Sequence, residues 1–363
     1  MSTFTVQIVP VVIEPHDNAD ALEIARVGDY RSVVRKGEFQ SGQLVAYIPE
    51  QALLPAPLLE SMGLTGKLAG SGRNRVKAIR LRGVLSQGLV LRARPEWSAG
   101  DDVAAELGIV KWEPPVPSCM NGQVYGAGSD RCLKYDIENF KAFPEVLEEG
   151  EAVVFTEKIH GTWCQVGLLP QSADAPNGRL VVASKGLASK GLAFVPDAED
   201  NRTNLYLRVA KHLEIERKLG QVFDQALADG APVFVLGEVF GKGVQDLSYG
   251  ARTEQDRWLG FRVFDIYRGW PGEGEYLSDN DLEASCTALG LDRVPVLYRG
   301  TFSREIMEAH TNGRESVSGE RLHMREGIVI RPQIERRHSE LGRVQLKSVS
   351  SKYLLRKGGT EHN

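Results

Sequence analysis

The segment Thr156-Glu157-Lys158-Ile159-His160-Gly161-Thr162 sets a lysine at the end of an apolar run, with a glycine three residues on. At the end of a strand such an amine can meet a phosphate, and a residue without Cβ lets the backbone approach a ligand closely. Alone the spacing is common, and a strand-end lysine is ordinarily a solvated rim residue. Four further segments follow: Gly237-Glu238-Val239-Phe240-Gly241, Phe261-Arg262-Val263-Phe264-Asp265-Ile266, Arg325-Glu326-Gly327-Ile328-Val329-Ile330 and Leu346-Lys347-Ser348. Each sets a polar or charged residue in or beside an apolar strand, where it is costly unless paired or bound to a ligand or metal. One such residue reads as a structural ion pair; a series of them in this order reads as a site.

The elements that carry these residues divide the chain. Its 363 residues suit two domains, or three. Up to about residue 112 the pattern is short strands with Gly and Pro between them: Leu22 to Val27, Arg31 to Arg35, Gln43 to Ile48, Val76 to Leu81 and Gly88 to Arg94. That spacing favours a small barrel or sandwich. The Pro-rich run Glu113-Pro-Pro-Val-Pro-Ser and the stretch to Ser129 read as a linker. From about Asp130 strands are expected at Ala152–Glu157, Leu180–Ala183, Val233–Phe240, Leu259–Tyr267, Gly327–Arg331 and Arg343–Lys347. Apolar residues four apart predict one long amphipathic helix from Thr203 to Ala228. Strands around few helices make this an α+β domain with mostly antiparallel sheets.

Net charge is −4, which argues against a protein that simply coats nucleic acid. Charge is nevertheless segregated: Lys67 to Arg94 holds eight Lys or Arg and no acid, and Arg321 to Lys357 holds ten basic residues against three acidic. Such runs serve phosphate-contacting proteins for steering, or are simply solvated strand faces. No stretch approaches the roughly 18–20 apolar residues of a membrane helix, and the N-terminus lacks the pattern of a signal peptide. The cysteines (Cys119, Cys132, Cys164 and Cys286) lack metal-site spacing, so a reducing cytoplasm is expected.

Taken together, the five segments resemble the nucleotidyltransferase motifs of covalent polynucleotide ligases and capping enzymes, in the family order KxxG, acidic strand, aromatic strand, EGxV, basic strand. The Glu-Lys-Ile-His-Gly-Thr form is similar to RNA ligases of the RNA-ligase-2 and editing-ligase branch. A β-rich module ahead of the transferase domain, and the stretch Gly237 to Gly250, resemble the Deinococcus-type RNA ligases. Pro15 to Asp20, Gly42-Gln-Leu-Val-Ala-Tyr-Ile-Pro49 and Arg82-Gly-Val-Leu-Ser-Gln-Gly88 look like the OB-type tRNA-binding modules of some aminoacyl-tRNA synthetases. The resemblance implies an OB-like RNA-binding module over 1–112, a linker over 113–129, and an α+β nucleotidyltransferase (adenylation) domain of antiparallel sheets with few helices over 130–363.

It also implies roles. Lys158 attacks the α-phosphorus of ATP, expels pyrophosphate and becomes lysyl-AMP; AMP moves to an RNA 5′-phosphate; a 3′-hydroxyl then displaces it. The lysine must shed its proton from an ordinary pKa of about 10.4, which neighbouring cations such as a metal or Lys347 assist. Glu326 and Glu238 become the carboxylates beside Mg²⁺ or Mn²⁺, Glu238 alternatively meeting ribose hydroxyls. Phe264 stacks on adenine with Asp265 in support, and Glu157 meets the adenine edge. Ile159, His160 and Gly161 line the nucleotide site. Lys185, with Lys190 as competitor, contacts the ribose. Lys67, Arg73, Arg75, Lys77, Arg80 and Arg82 are expected to hold RNA.

Two departures stand out. Relatives carry Lys-x-Lys on the last strand, whereas the first position here is Gln345; Arg343, on the same face, could supply the charge. The chain also stops at Asn363, so closing over the nucleotide or holding RNA is expected of the front module. The partner expected is RNA, as a nicked duplex or RNA–DNA hybrid, with no membrane. The competing readings are a DNA ligase, a GTP-dependent capping-type transferase, and a non-catalytic RNA-binding protein with an inactive transferase fold.

Overall fold

The computed structural model describes residues 4–171, 180–250 and 259–360. They form two compact units, Ser2–Glu113 with Glu138–Glu145, and Pro114–Ile137 with Val146–Asn363.

In the first unit β1 (Gln7–Pro10), β2 (Val12–Pro15), β3 (Leu22–Val27), β4 (Tyr30–Arg35), β5 (Leu44–Ile48) and β6 (Leu89–Arg92) make two three-stranded antiparallel sheets, ordered β1-β5-β6 and β2-β3-β4. Side chains alternate across a strand. On β5, Ala46 and Ile48 therefore enter one apolar cluster with Ile8, Leu54 and Trp97, while Val45 and Tyr47 enter another with Val11, Ala25 and Val90. A Cβ on Gly88, whose φ is +73°, would meet the Tyr47 ring at 2.6–2.7 Å, so this turn requires glycine. The strand expected over Val76–Leu81 is shorter, Ile79–Leu81, and forms a hairpin with Val84–Ser86.

The second unit is built around two large antiparallel sheets. In one, β12 (Val296–Thr301), β7 (Ala152–Lys158), β13 (Gly327–Pro332) and β14 (Leu346–Val349) lie side by side in that order. The other runs β9 (Leu180–Ser184), β8 (Thr162–Leu168), β10 (Val233–Phe240), β11 (Gly260–Arg268) and then Glu275–Tyr276. Alternation sorts the second sheet too. Cys164, Val166, Val233, Val235 and Val263 pack against the helical side with Leu205, Val209, Ile215 and Leu219. Trp163, Phe234 and Leu236 face the other way with Tyr135.

The single helix expected over Thr203–Ala228 is instead three: α1 (Leu205–His212), α2 (Ile215–Val222) and α3 (Asp224–Ala228). Asn204 caps α1 by accepting from the amides of Tyr206 and Leu207. Glu214 then takes a left-handed conformation, φ +52°, which breaks the helix, and the next residue buried after Ala210 is Ile215. Helices α4 (Asp279–Leu289) and α5 (Arg304–Thr311) and strands β8 and β12 escaped the sequence pattern.

Two further corrections concern connections. The expected linker 113–129 is built into the second unit: Met120 is buried in its helical-side core and Val124–Gly126 pairs with Leu192–Phe194. Pro and Gly punctuate this segment without freeing it. The last strand was expected over Arg343–Lys347, but Gly342–Arg343 pairs with Arg337–His338 and β14 begins at Leu346. The chain is pulled off the sheet where Arg343 turns toward buried carboxylates.

Candidate active site

β7 carries Lys158 to its C-terminal end because Val153, Val154 and Phe155, β-branched or aromatic and fully buried, fix the strand in the middle of its sheet. Register does the rest. Lys158 lies opposite Gly327 on β13, and Val329 lies opposite Lys347 on β14. In the other sheet Trp163 lies opposite Glu238. A cavity of about 250 Å³ opens between the two sheets.

Glu157, Lys158, Ile159 and Gly161 line it, joined by Lys185, Glu238, Phe264 and Lys347. Lys190 is not part of its wall, so of the two echoing lysines only Lys185 reaches the cavity, with Nζ 2.9 Å from Asp136 Oδ1. Glu326 is not a wall residue either, yet its Oε1 lies 2.7 Å from Lys158 Nζ. A Cβ at position 161 would lie 2.1 Å from the carbonyl of Val239, so the turn after Lys158 packs at a distance only glycine allows. Gly161 also donates its amide to Glu238 Oε1 at 3.1 Å.

Burial pushes the Glu238 carboxyl up to about 8, with nearby Lys158 pulling it down and Glu326 raising it. Burial likewise raises Glu157, opposed by Ser316, whose amide (2.9 Å) and hydroxyl (2.5 Å) both donate to Oε2. The other Glu157 oxygen, Oε1, is buried without a hydrogen-bond partner, as is Oε2 of Glu326. Phe264 packs its ring against Tyr135, centroids 5.2 Å apart. Among the described residues no cluster of three or more metal-ligating side chains exists. Glu326 Oε2, without a hydrogen-bond partner and 3.8 Å from His160 Nδ1, and the buried Glu238 carboxyl fit a cation that takes one or two carboxylates and completes its shell with phosphate and water.

His160 corrects its expected place. It does not line the cavity; its ring lies behind it, Nε2 2.9 Å from Asp246 and Nδ1 2.8 Å from the Tyr353 hydroxyl. Arg356 donates to both Asp246 oxygens, and Thr360 binds Asp246 through its amide and Gln245 through its hydroxyl. Gln245 in turn donates to the Gly161 carbonyl at 3.0 Å. Residues 353–360 thus clasp the loop that follows the lysine.

Arg343 also departs from expectation. Its guanidinium donates to Asp265 and Glu335 and stacks 3.9 Å from the Tyr276 ring, away from the cavity, while Gln345 does line it. The arginine among the wall residues is Arg331 on β13, two and four residues along the strand from Val329 and Gly327. Arg331 donates to Asp265 and Asp279, and Asp265 accepts a 2.5 Å bond from Tyr135, another wall residue. Tyr135, Trp163 and Arg331 were missed by sequence reasoning. Arg331 alone had a signal there, a charge inside an apolar strand.

Against the cost of burial, Arg343 and Arg331 hold the Asp265 carboxyl below its ordinary range; Arg293 and Arg299 do the same for Asp279, to about 2. Carboxylates depressed in the folded state contribute stability that is complete above the unfolded value of about 3.9 and lost as pH falls through the folded one. Urea unfolding followed against pH should therefore show stability dropping between about pH 4 and about pH 2.

Of the basic residues expected to hold RNA, Lys67, Arg73, Arg80 and Arg82 are exposed, Lys77 is half-buried, and Arg75 is stacked 3.9 Å over Trp112.

Two antiparallel sheets with a strand-end lysine in the cleft between them define a nucleotidyltransferase fold. The chain belongs to the RNA ligase family, whose model matches residues 151–350. A second model, for an OB-fold domain, matches residues 4–93. No curated protein sequence matches significantly. Among solved structures, a Naegleria gruberi RNA ligase with pyrophosphate is 24% identical, with a TM-score of 0.77, covering 97% of this chain and 98% of that one. A variant of the same enzyme with ATP and Mn is 22% identical at a TM-score of 0.74, covering 96% and 97%. A variant with AMP and Mn is 23% identical at 0.76, covering 97% and 98%.

Proposed function

We propose that this chain is an ATP-dependent RNA ligase that seals 3′-hydroxyl/5′-phosphate breaks, acting on nicks whose 3′-hydroxyl strand is RNA. The observation that carries the reading is Lys158, in the wall of a 250 Å³ cavity with its Nζ 2.7 Å from Glu326. The amine attacks the α-phosphorus of ATP. A nitrogen–phosphorus bond forms, the bond to the bridging oxygen of the β-phosphate breaks, and pyrophosphate leaves. The proton that the amine sheds before attack goes to water, a loss that the cations facing the cavity favour. Lys347 and Lys185 face the same cavity and offset the negative charge of the phosphates and of the transition state. Phe264 offers a ring to the adenine, and Oε1 of Glu157 an acceptor to its amino group. AMP then moves to the RNA 5′-phosphate, and attack by the 3′-hydroxyl releases it.

Glu326 and Glu238 would hold Mg²⁺ or Mn²⁺, which supplies charge neutralisation at the phosphates. The ATP and Mn carried by the Naegleria gruberi structures support these assignments. A front β-module ahead of the transferase domain supports placing the chain in the Deinococcus-type branch and giving that module, with Arg80 and Arg82 exposed on its hairpin, a part in holding RNA. Four free cysteines support a cytoplasmic location.

The test is a panel of nicked duplexes that differ only in the sugars of the 3′-hydroxyl strand, with ATP and Mg²⁺ or Mn²⁺. Sealing is expected with ribose at that end and to fall by about tenfold or more with deoxyribose, a site built for a hydroxyl being intolerant of its loss. Equal sealing of all-DNA nicks would remove the RNA preference.

A further inference from the structure

We propose that Ser316 sets base choice at this site: its two donations to Glu157 Oε2 hold that side chain as an acceptor, which admits the exocyclic amino group of adenine and refuses the O6 of guanine. The inference rests on the adenylation reading above and names the residue behind its nucleotide preference.

The arrangement is built rather than incidental. Ser316 sits on a loop tied to Glu315, which is fully buried and accepts from the amides of Ser318 and Leu322 as well as the Ser318 hydroxyl. Arg325 pins the same loop from below by donating to the carbonyls of Arg314 and His310. Glu157 comes from β7, 159 residues earlier, so the contact exists only in the folded chain. With Oε2 saturated by Ser316, the partnerless Oε1 remains for a ligand.

The electrostatics of the position give the contact its consequence. Burial raises the Glu157 carboxyl, as does Glu315; Arg325 and the Ser316 donors lower it, and the Tyr249 phenol lies within its field. Adenine presents a donor at its 6-position and guanine an acceptor. An ionised carboxylate accepts only, so guanine meets lone pair against lone pair. A protonated carboxyl can donate to O6 and loses that discrimination. Removing the Ser316 hydroxyl shifts Glu157 toward the protonated form.

The experiment measures lysyl-nucleotide formation by the full chain with α-labelled ATP or GTP, from about pH 6 to about pH 8.5. Wild type, Ser316→Ala, Ser316→Thr and Glu157→Gln are compared. For Ser316→Ala the ATP:GTP ratio is expected to fall by about tenfold, through KM for ATP rather than the maximal rate, and the pH midpoint of ATP use to move up by about one unit. Ser316→Thr, which keeps both donors, should match wild type, and Glu157→Gln should accept both nucleotides at every pH. An unchanged ratio and pH profile in Ser316→Ala would overturn the proposal, as would a Ser316→Thr variant as impaired as the alanine. Failure of wild type to label with ATP would instead overturn the adenylation reading itself.

Discussion

Lys158→Ala is expected to abolish the covalent AMP adduct, with labelling falling by more than about a thousandfold and nick sealing lost with it. The cavity wall includes two other lysines, so the result is not trivial. What separates Lys158 is its position at the end of β7 and which carboxylate it meets. Its Nζ is 2.7 Å from Glu326, a residue just before β13 whose second oxygen has no hydrogen-bond partner, whereas Lys185 is paired with Asp136. A nucleophilic amine needs both a place to send its proton and an environment prepared for the leaving pyrophosphate. Gel labelling with α-labelled ATP checks this directly. The adduct should resist alkali and be lost in hot acid, as a phosphoramidate is. An adduct of undiminished yield on Lys158→Ala would move the nucleophile to another lysine.

Asp265→Ala is expected to destabilise the second unit by about 3–5 kcal/mol, read from the urea midpoint of unfolding. Asp265 has no exposed surface, and four partners converge on it: Arg331, two Arg343 nitrogens and the Tyr135 hydroxyl. Deleting the carboxylate leaves two buried guanidiniums short of a counter-charge, and the cost is that of the stranded cations rather than of the bonds themselves. Function should suffer with stability, since Arg331 and Tyr135 are cavity walls and lose the group that orients them. An unfolding midpoint within experimental error of wild type would show that Asp279 and Glu335 hold the arginines unaided.

The motif strands could be read from sequence because each breaks an apolar run with a charge, and such a charge must be accounted for. Val233–Phe240 was placed to the residue, and all but one of the expected nucleotide contacts lie in one cavity wall or touch Lys158. The exception is His160, which the resemblance assigns to the nucleotide site; it lies beyond the end of β7, and its ring goes instead to Asp246 and Tyr353, 86 and 193 residues away, which no local pattern shows. Arg343 was misjudged for a different reason. Same-face projection assumes an unbroken strand, and the strand breaks between Arg343 and Leu346. Tyr135 and Ser316 left no local trace, their partners lying 130 and 159 residues away. The helix boundary at Glu214 was invisible because apolar residues four apart continue through Leu213 while the backbone does not.

The clasp made by residues 353–360 bears on how the site comes into being during synthesis. A nascent chain halted, or one nicked, before Tyr353 contains every motif strand, yet Asp246 and His160 await the side chains of Arg356 and Thr360, and Tyr353 is still to come. The loop behind the lysine thus depends on side chains that follow every motif strand in the chain: a fragment can acquire both sheets before it acquires a settled loop behind its lysine.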